Sequence, residues 1–186
     1  MPVTRFSFRT LLLGLPLLLG LPLLLAGCAG QSCDEPLSGE TCRDEKLLYQ
    51  NDMLQAKLLI AAGDPENYEL AGALLKRAEP GDTRGEVPFY QAVLLINEGP
   101  QLEEVLDLLE KAAARKHPHA IALLYKIWSE PFLATEADPL RAELYRARYA
   151  DLDVAKSGYP SFEKALAVVN TLVDRSNPAG ARVSGR

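Results

Sequence analysis

The chain carries the stretch Gln55-Ala56-Lys57-Leu58-Leu59-Ile60-Ala61-Ala62-Gly63 and repeats it as Gln91-Ala92-Val93-Leu94-Leu95-Ile96-Asn97-Glu98-Gly99, with six of nine residues identical at an offset of 36. A shorter match follows at an offset of 34, where Leu74-Leu75-Lys76-Arg77-Ala78 corresponds to Leu108-Leu109-Glu110-Lys111-Ala112. A third and weaker copy contains Ala120, Leu124 and Trp128, and then Leu144-Tyr145-Arg146-Ala147. A period of this size predicts a stack of similar units, because one such unit cannot bury its apolar face alone.

Apolar residues recur at helical spacing from Asp44 onward, and no run alternates as a strand would. The pattern predicts an all-α fold of six to seven helices, over about 44–62, 70–78, 88–98, 102–116, 119–128, 139–156 and 161–174. Asp138 is the expected N-cap of the sixth helix and Ser161 that of the seventh. Nearly all of the prolines in this region fall at the edges of these helices, where they do little harm: Pro65, Pro80, Pro88, Pro100, Pro118, Pro131, Pro139 and Pro160.

Residues 1–27 have the composition of an export signal. A short basic segment with Arg5 and Arg9 precedes an apolar run, Leu11–Leu25, that glycines and prolines interrupt. A membrane-spanning helix needs about 20 apolar residues, so this shorter and broken run predicts a signal peptide.

The signal ends in Leu25-Ala26-Gly27-Cys28, which resembles the lipobox of bacterial lipoproteins. The resemblance implies lipidation of Cys28, cleavage before it and acylation of the new amino terminus, and several acyl chains anchor a protein stably. Ala29 follows where an aspartate would favour the inner membrane, so the implied location is the periplasmic face of the outer membrane. The alternative is ordinary secretory cleavage near Ala26 or Ala29, with Cys28 incidental.

The charge of the chain excludes some classes of partner. Twenty basic and 25 acidic residues give a net charge of −5, and removal of residues 1–27 takes away two arginines and no acid, which leaves −7. A general nucleic-acid binder would need a basic surface. The acidic balance keeps the domain soluble and favours a basic protein partner.

Residues 28–43 are predicted to be a lipidated tether, and residues 44–176 the helical domain. Cys33 and Cys42 are expected to pair across a polar loop, because the periplasm is oxidising. Two free thiols are the alternative. The small and polar tail, residues 177–186, is expected to be disordered.

The period of 34–36 with two helices per unit resembles the tetratricopeptide class, and two motifs resemble its Sel1-like branch. These are Leu106-Asp107-Leu108-Leu109-Glu110-Lys111-Ala112-Ala113 and His117-Pro118-His119-Ala120. The resemblance implies a short solenoid of antiparallel helix pairs with a concave, protein-binding face. The insert Glu130–Asp138 departs from the family pattern, as does the lack of a Gly-x-Gly loop. An ordinary helical bundle is the alternative fold.

No motif points to catalysis or to a cofactor, and no catalytic residue, metal or small-molecule substrate is predicted. Two histidines and three cysteines make a zinc framework improbable on composition. His117 and His119 flank a proline, and we expect a surface turn or a cap on the preceding helix rather than a metal site. Glu103 and Glu104 lie at a helix start, where the helix dipole favours acids.

Aromatic residues concentrate in the last third of the chain. They form the core of the last repeats in one interpretation and a recognition surface in the other, because Tyr, Trp and Arg dominate interface hot spots. The candidate partner-binding residues are Tyr90, Tyr125, Trp128, Phe132, Arg141, Tyr145, Arg148 and Tyr149.

Together these features predict a non-enzymatic, lipid-anchored interaction module of the periplasm. By resemblance to Sel1-like lipoproteins, it would be an adaptor in envelope assembly, secretion or export. The alternative is an immunity protein that neutralises a periplasm-targeted toxin, such as a type VI secretion-like effector. A cell-wall-acting enzyme has the least support.

Overall fold

The computed structural model describes residues 40–99, 101–158 and 160–174, which contain helices and no strand. The predicted signal peptide, Cys28, Cys33, Tyr159 and the tail lie outside the described residues. The all-α class predicted from the sequence is confirmed. The α-helices within these ranges are α1 (Glu40–Ala62), α2 (Tyr68–Ala78), α3 (Glu86–Glu98), α4 (Leu102–Ala114), α5 (Pro118–Ser129), α6 (Pro139–Ala150), α7 (Asp153–Ser157) and α8 (Phe162–Val173), with short 3-10 helices at Pro65–Asn67 and Glu79–Gly81.

Consecutive helices pack on each other along the chain. α2 contacts α3, α3 contacts α4, α4 contacts α5, and α5 contacts α6 most extensively. The connections between them are short, so neighbouring helices run antiparallel. This is the packing of a stack of helix pairs, as the repeat predicts.

Two helix boundaries differ from the predicted ones by more than two residues. α1 begins at Glu40, so the helix includes the last residues of the predicted tether. The helix predicted to run to Lys156 ends at Ala150, because the extended backbone of Leu152 carries its side chain into the core. The remainder forms the separate short helix α7. The described residues therefore hold eight α-helices rather than six or seven.

The helix ends follow local chemistry. The predicted caps are confirmed, since Asp138 accepts a hydrogen bond from the backbone N–H of Arg141 and Ser161 accepts one from that of Lys164. α4 ends in a Schellman motif, in which Lys116 takes the left-handed conformation (φ 61°) that glycine usually supplies.

The chain approaches itself closely at Ala112 of α4. A Cβ atom added to Gly85, at the start of α3, would lie 2.8 Å from both the Cα and the carbonyl oxygen of Ala112. Only glycine fits between α3 and α4 at this point, and its φ of 73° is also one that favours glycine.

The C-terminal helix changes the order of the stack. α8 packs chiefly against α5 and also contacts α3 and α6. Its buried residues Ala165, Val169 and Val173 join the common core. α8 therefore lies alongside the first helices of the second and third pairs and does not extend the row of pairs beyond α6.

Candidate functional site: a groove between α4, α5 and α6

A surface groove of about 510 Å³ opens where α4 begins, α5 ends and the chain enters α6. Its walls are mostly apolar, with carboxylates on one side. The residues that line it are Leu102, Trp128, Ala134, Thr135, Glu136, Ala137, Asp138, Pro139 and Leu140.

The wall formed by the insert is closed by local hydrogen bonds. The backbone N–H of Asp138 donates to the carbonyl oxygen of Trp128 at 2.8 Å. The Asp138 carboxylate accepts from the N–H of Arg141 at 3.0 Å and so starts α6. These two bonds place the Arg141 guanidinium 4.0 Å from the centre of the Trp128 ring, within cation–π range.

The indole N–H of Trp128 is the least satisfied polar group of this region. Its nitrogen is buried and has no hydrogen-bond partner among the described residues. An unpaired buried donor costs about 1–3 kcal/mol, so such groups are rare and call for an explanation.

The buried side chain of Lys126 contacts the rest of the insert. Lys126 lies 4.9 Å from the centre of the Phe132 ring, pairs closely with Glu130 and lies 3.9 Å from Asp174. Phe132 is consequently half-buried, as is Leu133. The sequence predicted Phe132 as a contact residue, but its side chain packs against the core and does not line the groove.

Several candidate partner-binding residues belong to the interior instead. Tyr149 is buried and donates its hydroxyl hydrogen to the carbonyl oxygen of Pro160 at 2.8 Å. Tyr145 is buried and donates to Glu110 at 2.5 Å, and Arg148 donates to the same carboxylate at 3.1 Å. For the two tyrosines this corrects the surface assignment in favour of the core alternative, because both residues are less than a tenth exposed.

Tyr125 and Tyr90 each contact a side chain of another helix. The Tyr125 ring packs edge-on against Phe162 of α8, with 5.0 Å between ring centres. Tyr90 lies far along the stack beside α1, where the Lys57 ammonium is 5.2 Å from its ring centre. Burial raises the pKa of Tyr90 to about 12, so this phenol stays neutral. Of the eight candidates, Trp128 and Arg141 are the two that meet at the groove.

Tyr90 belongs to a polar cluster that the sequence analysis missed. Glu86 pairs closely with Lys57 and accepts a hydrogen bond from the Tyr49 hydroxyl at 3.1 Å. Burial and the charges of Glu86 and Asp82 raise the pKa of Tyr49. The cluster ties α1 to α3 across the first repeat boundary.

Asp82 connects the same cluster to α4. Its carboxylate accepts from the backbone N–H groups of Arg84, Glu86 and Val87 and from the Arg115 guanidinium at 2.9 Å. An aspartate shortly before an apolar helix is a capping pattern, which is the feature of the sequence that could have revealed this role.

The histidines differ from what the sequence predicted. His117 is buried rather than in a surface turn, and its Nδ1 accepts from Ala120 N–H, so it caps the following helix α5 and not the preceding one. Its ring stacks on Phe89 at 4.7 Å between centres. Burial, with the nearby His119, lowers the pKa of His117 to about 4, and burial also lowers the pKa of His119.

Three further observations bear on the site and the anchor. Within the described ranges, no group of three or more His, Cys, Asp and Glu side chains could hold a metal ion. No helix in the described part of the chain is long and apolar enough to cross a membrane. Cys42 is in a disulfide, and its pairing with Cys33 stays a prediction because Cys33 is not among the described residues.

The described residues thus form stacked helix pairs with a mostly apolar groove, which is lined by Trp128 and bordered by the Arg141 guanidinium on the Trp128 ring. No protein-family model matches the chain, and no curated protein or solved structure matches it either.

Proposed function

We propose that this protein is a non-enzymatic, lipid-anchored interaction module of the periplasm, which holds a protein partner in the groove at Trp128. The observation that carries the proposal is the pairing of Trp128 with Arg141 at the wall of an open, mostly apolar groove. Tryptophan and arginine are the residues that contribute most to protein interfaces.

The anchor rests on the residues around Cys28. The lipobox resemblance places the lipid at the amino terminus of the mature chain, and the net charge of −7 after removal of residues 1–27 favours a basic partner. We propose the periplasmic face of the outer membrane as the location. An adaptor role in envelope assembly or export is the first candidate, and toxin neutralisation is the second.

The groove is tested by affinity capture from periplasm with the unlipidated Cys28→Ser chain as bait. Leu140 lines the groove and Leu70 lies on α2 outside it, and both side chains are exposed. We expect Leu140→Asp to lose the partner and Leu70→Asp to keep it. Recovery of the same proteins by all three baits, or of none by the unmodified bait, would overturn the proposal.

The captured protein and the anchor are then examined separately. A secreted toxin among the specific proteins would support the immunity role, and an envelope or export component would support the adaptor role. Labelled palmitate should be incorporated into the wild-type chain and not into Cys28→Ser. A wild-type chain without label would refute lipidation while leaving the groove experiment intact.

A further inference from the structure

The outer face of α1 is uncharged and rich in leucine from Leu47 to Ala62. Its four leucines are 49–61% exposed, and none of the exposed residues in this stretch carries a charge. The exposed residues are Leu47, Leu48, Gln50, Asn51, Leu54, Gln55, Leu58 and Ala62. Leu47, Leu54 and Leu58 recur at helical spacing, so they form one stripe along the helix.

The two charged residues within the same stretch belong to the inner side of α1. The Asp52 carboxylate is buried and accepts hydrogen bonds from the Arg77 guanidinium of α2 at 2.7 Å and 2.5 Å. Lys57 is half-buried and pairs closely with Glu86 of α3. Each of these charges is therefore paired with a residue of the helix stack, and the outer face is left without charge.

Other helices of the stack carry charge on their exposed sides, namely α2, α4, α6 and α8. Examples are Glu69 and Lys76 of α2, Glu103 and Lys111 of α4, Glu143 and Arg146 of α6, and Glu163 and Lys164 of α8. Charged and polar residues are what the water-facing side of a helix ordinarily presents. A contiguous exposed apolar surface instead marks a contact with a protein or a membrane. The outer face of α1 is a surface of this second kind.

The position of the lipid anchor favours a membrane as the occupant of this face. Cys28, the proposed site of lipidation, precedes Glu40, the first residue of α1, by twelve residues. A tether of this length spans about 40 Å at full extension. It holds its two ends at a local concentration in roughly the millimolar range, so a weak apolar contact is enough to dock the helix.

We propose that the outer face of α1 docks onto the surface of the bilayer that holds the lipid anchor, with its leucines at the boundary between headgroups and acyl chains. The inference rests on the proposed anchor. Helices that lie in this plane bury an apolar face of this kind by about 5–10 Å. The charged residues of α1 before Leu47 lie at the end where the tether joins, where headgroups and water can solvate them. They are Glu40, Arg43, Asp44, Glu45 and Lys46.

Docking of this kind depends on apolar area and not on charge. The chain has a net charge of −7 after removal of residues 1–27, so attraction to anionic lipids would not hold it at a membrane. The contact should therefore form on zwitterionic lipid and persist at high salt. The residues that line the groove at Trp128 belong to α4, α5, α6 and the insert, so docking of α1 leaves the partner surface in place.

The test measures the depth of α1 in vesicles, with a tether that does not depend on lipidation in the cell. The chain from residue 28 onward, with Cys28→Ser and an amino-terminal histidine tag, is bound to phosphatidylcholine vesicles that contain a nickel-chelating lipid and brominated acyl chains. An environment-sensitive fluorophore is attached without reductant to Gln55→Cys on the outer face of α1. The matched control carries it at Ala147→Cys on α6. Both side chains are exposed, so neither change should impair folding.

The expected result is quenching of the fluorophore by bromine at position 55 and not at position 147, at low and at high salt alike. Addition of Leu58→Asp to the Gln55→Cys chain should lower the docking equilibrium constant about tenfold or more, because a carboxylate replaces a leucine at the lipid boundary. Leu144→Asp changes an exposed leucine of α6 instead and should leave the quenching at position 55 unchanged.

The other outcomes overturn the proposal. An unquenched fluorophore at position 55 would show that α1 stays in water although the tether holds the chain at the vesicle. Equal quenching at both positions would show contact without a preferred face. Quenching that survives Leu58→Asp, or that high salt removes, would show that the leucines do not make the contact. These results do not depend on palmitate incorporation, which tests the lipid, or on affinity capture, which tests the groove.

Discussion

Replacement of Gly85 by alanine tests the close contact on which the α3–α4 packing depends. Gly63 provides a matched control, because both glycines have a positive φ of nearly the same value, 73° at Gly85 and 71° at Gly63. A Cβ at position 63 meets no atom within 4 Å, whereas a Cβ at position 85 would lie 2.8 Å from the Cα and the carbonyl oxygen of Ala112. The difference between the two variants therefore isolates the steric contact from the backbone strain.

The magnitudes follow from these contacts. Alanine in the left-handed region costs roughly 1–2 kcal/mol, and the reduced freedom of the unfolded chain offsets about 0.4–1 kcal/mol of it. We expect Gly63→Ala to lower the free energy of unfolding by about 1 kcal/mol. Gly85→Ala adds an overlap with backbone atoms that cannot rotate away, which costs a further 1–3 kcal/mol or so as α3 moves from α4. The hydrogen bonds from Glu86 and Val87 to Asp82 would be displaced with it.

The assay is denaturant unfolding of the Cys28→Ser chain, monitored by far-UV circular dichroism. We expect Gly85→Ala to be less stable than Gly63→Ala by at least about 1 kcal/mol, with the dependence on denaturant unchanged. If the two variants agreed within about 0.5 kcal/mol, which is the ordinary range for surface changes, the close approach of α3 to Ala112 would be refuted.

Three further predictions concern charge and backbone conformation. His117 has a pKa of about 4, below its ordinary 6.5, so the folded state binds fewer protons than the unfolded state between these values. The contribution of His117 to the free energy of unfolding is fully present above pH 6.5. It falls by a total of about 3 kcal/mol as the pH falls through about 4. Hydrogen bonds from Arg77 lower the pKa of the buried Asp52 carboxylate. Arg77→Ala leaves this carboxylate without its ion pair and should lower the free energy of unfolding by about 1–3 kcal/mol. Arg146 is similarly exposed and pairs with Glu143 on the surface, so Arg146→Ala should lower the free energy of unfolding by less than about 1 kcal/mol. Lys116→Gly relieves the left-handed backbone and should stabilise the chain by roughly 0.5–1 kcal/mol.

All three are measured by denaturant unfolding, and the first across pH 4–7. His117→Asn keeps a capping acceptor and removes the titrating ring, so a variant with the same pH dependence as the wild type would contradict the assignment. Equal losses for the two arginine variants would mean that Asp52 does not depend on its ion pair. A destabilised Lys116→Gly chain would show that the left-handed conformation costs nothing there.

The sequence repeat and the positions of the prolines predicted the helices well, because both are local properties of the chain. Helical periodicity and the capping chemistry of Asp138 and Ser161 act within a few residues, and the structure has both caps as predicted. The predicted end of the sixth helix was wrong, because a contact with residues distant along the chain determines where that helix ends. The helix through Leu152 contains no breaker, and it ends at Ala150 because burial of Leu152 outweighs two more turns of helix.

The candidate site was harder to predict, for the same reason. Helical spacing places Tyr145 and Tyr149 with the arginines of α6, but it does not reveal which face the neighbouring helices cover. The structure buries both tyrosines and leaves Trp128 with Arg141 at the groove. The polar cluster around Glu86 joins residues of three helices, and no local pattern connects Lys57 to it.

The sequence by itself determined the helical class, the duplicated unit and the acidic charge, because composition and periodicity suffice for these. The tertiary structure decided which equivalent leucines are buried, since Leu58 and Leu94 lie in stretches that share six of nine residues but are 61% and 7% exposed. Burial depends on neighbours that are distant along the chain. The same leucine therefore forms core in one copy of the repeat and surface in the other.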